Sequence, residues 1–461
     1  MSKNFMGFVE KLKMSKIAIV GIGVSNVPLI KYLTELNCNI TLFDKKEMSA
    51  FNKEIKEIIN NCGLKTYFGD DYLENLIGFD VIFRSPSILP TNKYLQSEEE
   101  RGALITTEVE QVIRFAPCPV IGITGSKGKT TTTTLISLLL SSTDNKIYVG
   151  GNIGTPLFTK IPEFKKEDII VLELSSFQLM NMRYSPSISV VTNISPDHLD
   201  VHSNYDEYIS AKKAIFSNQK SNDVVILNYD DEVVRGFSEE AIGDVIFFGK
   251  NIDNGYSLEK KFIKIKENDQ EKILLDLTKL VLKGEHNYLN ICAALAATRF
   301  FIKDENIQKC LQNFKGVEHR LEFVREINGV KWYNDSASTT PDKAEAGIRA
   351  FDEDVVLITG GSDKNISYVD YAKPILDKVS KLILFGQTKN KIYDAVMERK
   401  KKLGADIEIF VLDTLDEVVE AAYQVSKPGE VVLFSPASAS FDMFKNAYQR
   451  GDLFKKKVYK L

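Results

Sequence analysis

Cysteine is scarce in this chain and poorly placed for chemistry. The five residues (Cys38, Cys62, Cys118, Cys292, Cys310) are odd in number and nowhere spaced as CxxC. That argues against a disulfide framework or a cysteine-bound zinc cage, and for a reducing, cytoplasmic setting. A basic excess is also lacking: 59 Lys and Arg face 63 Asp and Glu, for a net charge of −4. Neither nucleic acid nor an anionic membrane is therefore expected as a partner. No apolar run approaches the roughly 18 residues of a membrane span. The opening "MSKNFMGFVEKLKMSKIAIVGIG" has no uncharged stretch ahead of a small-residue cleavage site, so it does not read as a secretory signal. Low-complexity linkers and internal repeats are absent from the sequence. Histidine occurs only four times, so its positions are informative.

What remains is the composition of a soluble globular protein, 44% hydrophobic and 26% charged over 461 residues. That length exceeds one ordinary core and predicts two to four domains. Strand-like apolar runs alternate with amphipathic stretches nearly throughout, which predicts α/β architecture with mainly parallel sheets. Three blocks are visible. "KIAIVGIG", "NITLFD" and "DVIFRSPSI" belong to the first, residues 1–105. "CPVIGITGSKGKT", "DIIVLELSSF", "SISVVTNISPDHLD" and "DVVILNYDD" belong to the second, 106–314. "DVVLITGGSDK", "KLILFGQTKN" and "EVVLFSPASAS" belong to the third, 315–461.

Residues 119–124 read as a strand, Gly125 to Lys129 as a loop, and Thr130 onward as a helix. Glycines let backbone N–H groups turn inward, and a helix N-terminus adds positive dipole, so this order suits a phosphate. Lys129 is placed to reach the β- and γ-phosphates and the Thr130 hydroxyl to meet Mg²⁺. The strict spacing GxxxxGK[ST] fails because Ile123 stands at its first glycine. The loop is a GxxGxxGKT variant starting at Gly122, unlike that of motors or GTPases. In the first block, Gly21, Gly23 and the strand-end Asp44 suggest a dinucleotide fold, but Asn26 occupies the third glycine position. A broken nicotinamide site, a Rossmann-like domain for another nucleotide, and a plain βα turn all remain open there.

Carboxyl ends of strands collect ligands in open α/β sheets. Glu173 ends one apolar run; Asp197, His198, Asp200 and His202 follow another. Glu173 and His198 are candidate metal ligands with Thr130, against the alternatives of a salt-bridged carboxylate and a solvated loop. A histidine ligand suits a second site for Mg²⁺ or Mn²⁺. Zinc on His198 and His202 lacks a cysteine partner. The pair Lys212 and Lys213 reads as a solvated helix face. Asn287 and Asn290, i and i+3 on one face, either read a purine edge or cap their helix.

Nine blocks in order, "GITGSKGKTTTTTL", "GGNIGTP", "ELSSFQL", "NISPDHLDVH", "YISAKKAIF", "KGEHNYLNICAALAA", "GVEHRLEFV", "YNDSASTTP" and "SPASASFDMFKNAYQRGDLF", resemble the signatures of the Mur ligases. The resemblance covers essentially the whole chain and is closest to the glutamate-adding branch. It implies a Rossmann-like UDP-binding domain, a central P-loop-type ATPase domain and a C-terminal Rossmann-like, glutamate-binding domain. It also implies ATP-dependent amide formation through an acyl phosphate, in a cytoplasmic monomer acting on UDP-N-acetylmuramoyl-L-alanine, glutamate and ATP. By the resemblance, Gly125, Ser126, Lys127, Gly128, Lys129, Thr130, Thr131, Asn287, Asn290, Arg320 and Asp335 contact ATP. Thr130, Glu173, His198 and a carbamylated Lys212, rather than Lys213, hold Mg²⁺ at two sites, with Mn²⁺ as a substitute. Lys129, His198 and Lys212 carry the chemistry, with His198 or Asp197 as the base for the amine. Val24, Ser25, Asp44 and Lys45 match the uridine end of the substrate, and Asn152 and Ser175 its muramoyl-alanine end. Lys364 and Ser440 match the positions that receive glutamate, and Thr339 is a further substrate-binding position. Three positions depart from the common pattern: Ser87 for glycine, Ala337 for lysine and Ala447 for an aromatic residue. The last two lie by the incoming amino acid, so D-glutamate is the default and L-glutamate the alternative. Other amide ligases of the superfamily, a nucleotide-driven motor or sensor, and a nicotinamide-dependent oxidoreductase are the competing classes.

Overall fold

The computed structural model describes residues 3–23, 25–51, 53–196, 204–363, 366–403 and 407–461. Its chain divides into two compact units, Met1–Thr278 with Leu289–Leu311, and Lys279–Tyr288 with Gln312–Leu461.

The first unit holds two sheets. Strands β1 (Lys16–Val20), β2 (Asn39–Asp44), β3 (Lys65–Phe68), β4 (Val81–Arg84) and β5 (Leu104–Thr106) form a parallel sheet in the order 3-2-1-4-5. The next nine strands are β6 (Val120–Thr124), β7 (Ile147–Gly151), β8 (Ile169–Glu173), β9 (Ile188–Val191), β10 (Val224–Asn228), β11 (Asp244–Lys250), β12 (Gly255–Glu259), β13 (Phe262–Glu267) and β14 (Gln270–Asp276). They form one sheet in the order 14-13-12-11-10-9-6-8-7. Strands β6, β8, β9 and β10 are buried along their whole length, as their uninterrupted apolar runs require of a parallel sheet covered on both faces. Its β12–β14 end is an antiparallel ribbon. There alternation replaces continuous apolarity, and the turn Asn268–Asp269 takes positive φ.

An aromatic cluster joins the two sheets. The helix Lys3–Met14 buries Phe5, Phe8, Val9 and Leu12. Phe5 meets Phe115 at 5.4 Å and Phe158 at 5.8 Å, both edge-on, and Phe158 also meets Tyr32 and Phe83. Each fully buried ring contributes about 2 kcal/mol from desolvation alone.

The second unit is built on β15 (Glu322–Ile327), β16 (Val330–Asn334), β17 (Val355–Gly360), β18 (Val379–Phe385), β19 (Glu408–Val411) and β20 (Val431–Phe434), in the order 15-16-20-17-18-19. Only β15 runs antiparallel to its neighbour. Apolar clusters cover both faces.

Candidate active site

Strand order places the chemistry. In the central sheet β6 lies between β8 and β9, so the chain leaves β6 at a switch point where loops diverge and leave a crevice. The phosphate loop fills that position. Gly128 sits at φ 85°, just before the helix Lys129–Leu140. A Cβ there would stand 2.4 Å from Asn290 Oδ1, and one at Gly125 would stand 1.9 Å from Thr192 Oγ1. The loop is braced from outside. Asn193 accepts from Lys127 N and donates to Lys127 O, both at 2.9 Å, while Thr192 Oγ1 donates to the same carbonyl at 2.6 Å. Ser126 Oγ donates to Ser195 O and shares a 2.8 Å hydrogen bond with Tyr208.

Two ammonium groups converge on one carbonyl. Lys129 Nζ donates to Gly125 O at 2.8 Å and to Ser126 O at 3.1 Å. Lys212 Nζ donates to the same Gly125 O at 2.8 Å and lies over the Tyr208 ring. Lys212 is buried in its helix, whereas Lys213 turns outward to Glu240. The solvated-face alternative for Lys212 is thereby overturned: Tyr208 and Ala211 carry it into the apolar side of the helix. With the helix N-terminus, the Lys129 cation makes a positive pole suited to phosphate.

Glu173 ends β8, beside β6, and is 2% exposed. Its Oε1 accepts from Asn152 Nδ2 at 2.9 Å, and its Oε2 is buried with no hydrogen-bond partner among the described residues. A buried carboxylate oxygen without a donor is costly, and a hard divalent cation would satisfy it. Glu173 with the half-buried Thr130 is an oxygen donor set of the kind Mg²⁺ takes. His198 and Asp197, with Asp200 and His202, lie outside the described residues. Just beyond Glu173, Ser175 caps the short helix Ser176–Leu179 in a reciprocal box with Gln178. Thr131 is buried. Asn290 accepts from Thr132 Oγ1 at 3.4 Å, and Asn287 donates Nδ2 back to Lys283 O at 2.7 Å.

The first sheet gathers a second group at its carboxyl edge. Both Asp44 oxygens are used internally, accepting from Ile22 N at 2.6 Å and Lys46 N at 2.8 Å. Asn26, in the third glycine position, donates to Gly21 O at 2.8 Å. Its side chain thus stands where a dinucleotide fingerprint uses a third glycine for close helix–strand packing. Ser25 precedes the helix Asn26–Glu35 without capping it. Lys45 is exposed near Asp70, and Val24 lies outside the described residues.

In the second unit, Asp335 follows β16 and is 4% exposed. It accepts from Leu321 N at 3.2 Å and Ser435 Oγ at 2.7 Å. Burial nevertheless pushes its carboxyl up to about 6. Arg320 is exposed beside His319, which is buried, sits at φ 63° and shares a 2.9 Å hydrogen bond with Asn334. Thr339 and Ala337 are half-buried after β16, Ser440 is buried after β20, and Ala447 opens the last helix. Lys364 lies outside the described residues.

Sequence reasoning missed the braces Thr192, Asn193 and Tyr208 and two buried arginines. Arg84 ends β4 and donates to Ile88 O, Phe177 O and Met180 O. Arg450 is fully buried in the helix Ala447–Val458. Burial lowers both guanidiniums to about 10, so both stay charged at neutral pH. A signal for Arg450 existed in its helical spacing with the buried Phe454 and Val458.

Comparison with known proteins matches residues 123–298 to the Mur ligase middle domain and residues 319–438 to the Mur ligase glutamate ligase domain. Over their full lengths, the chain is 44% identical to the UDP-N-acetylmuramoylalanine–D-glutamate ligase of Clostridium botulinum (strain Kyoto / Type A2). The chain belongs to the Mur ligase family. The same enzyme of Clostridium novyi is also 44% identical, again over all of both chains. Among solved Mur ligases, the UDP-N-acetylmuramate–alanine ligase of Thermotoga maritima shares the fold at a TM-score of 0.58 and 20% identity, over 97% of this chain and 99% of its own. A second ligase of that organism, MurF, solved in complex with ADP, also gives 0.58, at 16% identity over 98% and 97%. As a Mur ligase, the chain is an ATP-dependent, ADP-forming amide ligase. Among the described residues no helix is long and apolar enough to cross a membrane.

Proposed function

We propose that this Mur ligase joins D-glutamate to the alanine carboxylate of UDP-N-acetylmuramoyl-L-alanine, using ATP, in the synthesis of the peptidoglycan precursor. The observation that carries the chemistry is the convergence of Lys129 and Lys212 on Gly125 O, with the unpartnered Glu173 Oε2 on the neighbouring strand. The full-length likeness to the clostridial enzymes supports D-glutamate as the amino acid. We assign three domains, 1–105 for the UDP group, 106–314 for ATP and 315–461 for glutamate, in a cytoplasmic monomer.

A carboxylate is a poor acyl donor at neutral pH. Moving the γ-phosphoryl group onto it gives an acyl phosphate with a good leaving group, and the step asks the protein mainly for positioning and charge neutralisation. In this reading the loop amides from Gly125 to Thr131 and Lys129 hold the phosphates. Asn287, Asn290, Arg320 and Asp335 hold the rest of ATP. Ser25, Asp44 and Lys45, with Val24, take the uridine end, and Asn152 and Ser175 the muramoyl-alanine end. Thr339, Ser440 and Lys364 hold glutamate, whose amine attacks the acyl phosphate as phosphate leaves. Thr130, Glu173, His198 and a carbamylated Lys212 would hold Mg²⁺, or Mn²⁺ in its place. The cation supplies charge neutralisation at the γ-phosphate and at the carboxylate.

The test offers the purified chain ATP and UDP-N-acetylmuramoyl-L-alanine with D- or L-glutamate separately and measures phosphate release. Release with D-glutamate alone is expected. Release with L-glutamate alone reassigns the amino acid, and no release with either overturns the reading.

A further inference from the structure

Arg450 is fully buried, yet no carboxylate hydrogen-bonds to it among the described residues. All five of its N–H groups are used. Nε donates to Ser336 Oγ at 3.0 Å. One terminal nitrogen donates to Ser438 O at 3.1 Å and Ala439 O at 2.8 Å, the other to Ser336 O at 2.9 Å and Ser438 O at 3.1 Å. Ser336 Oγ in turn donates to Ala447 O at 2.7 Å, closing the ring onto the start of Arg450's own helix. One guanidinium therefore fixes three segments: the turn after β16, the turn after β20 and the start of the last helix. A Cβ added to Gly361, at the end of β17, would stand 2.9 Å from the same guanidinium. Thr339 and Ser440, assigned above to glutamate, lie three residues beyond Ser336 and two beyond Ser438.

A buried cation with no carboxylate hydrogen-bonded to it is costly in a protein interior, and here Asp442 and Asp335 offset that cost only from a distance. Carbonyl dipoles compensate it in part and leave a fixed positive field at the carboxyl edge of the sheet. Ala337 stands on the same turn where the family commonly has lysine, so this chain brings less mobile positive charge to the pocket. We propose that Arg450 is the positioning residue of the amino-acid pocket: it sets the spacing of Thr339 and Ser440, and its charge favours an incoming amino acid that is a dianion of carboxylates. The proposal rests on the glutamate-ligase reading.

The test uses the full chain and compares wild type with Arg450→Met, Arg450→Lys and Ser336→Ala. KM is measured separately for D-glutamate, ATP and the UDP-substrate, together with kcat. For Arg450→Met the expected result is a D-glutamate KM raised about tenfold or more, with the other two KM values within about twofold. Arg450→Lys, which keeps the charge but not the fork, should recover part of that KM. Ser336→Ala removes only the Nε acceptor and its link to Ala447, and should raise the D-glutamate KM about threefold. It carries the test if Arg450→Met does not fold. A folded Arg450→Met, or failing that Ser336→Ala, with an unchanged D-glutamate KM overturns the proposal. So does a common shift of all three KM values. A wild-type chain that releases no phosphate with either glutamate overturns the ligase reading, and this proposal with it.

Discussion

Asp335→Asn should make the second unit more stable and the enzyme less active. The carboxyl is 4% exposed. Burial outweighs the hydrogen bonds from the Ser338 side chain, Ser435 Oγ and Leu321 N and the nearby Arg320 charge, and raises the carboxyl from 3.8 to about 6. Unfolded, the group ionises near 3.8; folded, it keeps its proton to about 6. Between those values the unfolded chain releases a proton that the folded chain holds, so stability falls as pH rises through the window. A shift of about two units at about 1.4 kcal/mol each gives a penalty of about 3 kcal/mol, complete above pH about 6. Asparagine removes the charge and keeps the contacts to Leu321 and Ser435: Oδ1 still accepts from Leu321 N, and Nδ2 can donate to Ser435 Oγ. The gain should therefore be about 2 to 3 kcal/mol at pH 8 and vanish near pH 4. Trp332 is the only tryptophan, is fully buried and lies on β16, so urea unfolding followed by its fluorescence reports on this unit. An asparagine variant no more stable than wild type at pH 8, or equally stabilised at pH 4 and pH 8, refutes the reasoning. If Asp335 also contacts ATP, phosphate release falls as stability rises.

Three further outcomes are expected. Lys129→Ala should lower phosphate release about a thousandfold or more with unchanged circular dichroism, because the loop ammonium assigned to the phosphates is lost. Wild-type turnover in that variant would remove the loop from the mechanism. Gly128→Ala forces φ 85° on a residue with a Cβ 2.4 Å from Asn290 Oδ1, at about 1 to 2 kcal/mol from backbone strain alone. Adding Asn290→Ala should recover the steric part in thermal unfolding and leave the backbone part. Lys212→Ala should be inactive and regain partial activity with short carboxylic acids if the family carbamate forms here; absence of rescue counts against that ligand.

Features encoded within one short stretch were legible. The strand, glycine loop and helix around Lys129 follow one another in sequence, and Glu173 announces itself as the last residue of an apolar run. Parallel architecture was legible for the same reason: strands buried on both faces must be continuously apolar. Lys212 resisted because a lysine pair normally faces water, and only the packing of Tyr208 and Ala211 turns one of the two inward. The antiparallel ribbon β12–β14 was not read, although its alternation and polar turn are ordinary hairpin signals. Arg84 and Arg450 resisted for a deeper reason. Apart from Ser336 Oγ, their acceptors are backbone carbonyls, which carry no residue identity, and they lie up to 96 and 114 residues away. A sequence shows that a charge falls in an apolar phase, but not which carbonyls await it.

The packing between the first two sheets bears on how the chain matures during synthesis. The helix Lys3–Met14 is made first, yet the rings that cover it, Phe115 and Phe158, and the carbonyls that hold Arg84, at Phe177 and Met180, come much later. The β1–β5 sheet must therefore leave the ribosome with an open aromatic face and a cation held only by Ile88 O, and it closes only once the chain beyond residue 180 has emerged. Ribosome-bound chains with residues up to 150 exposed should be cut readily by protease within the first sheet, and chains exposed to about 190 should resist. The first domain is thus begun first yet closed only after part of the second sheet has emerged, and it is open to quality control while it waits.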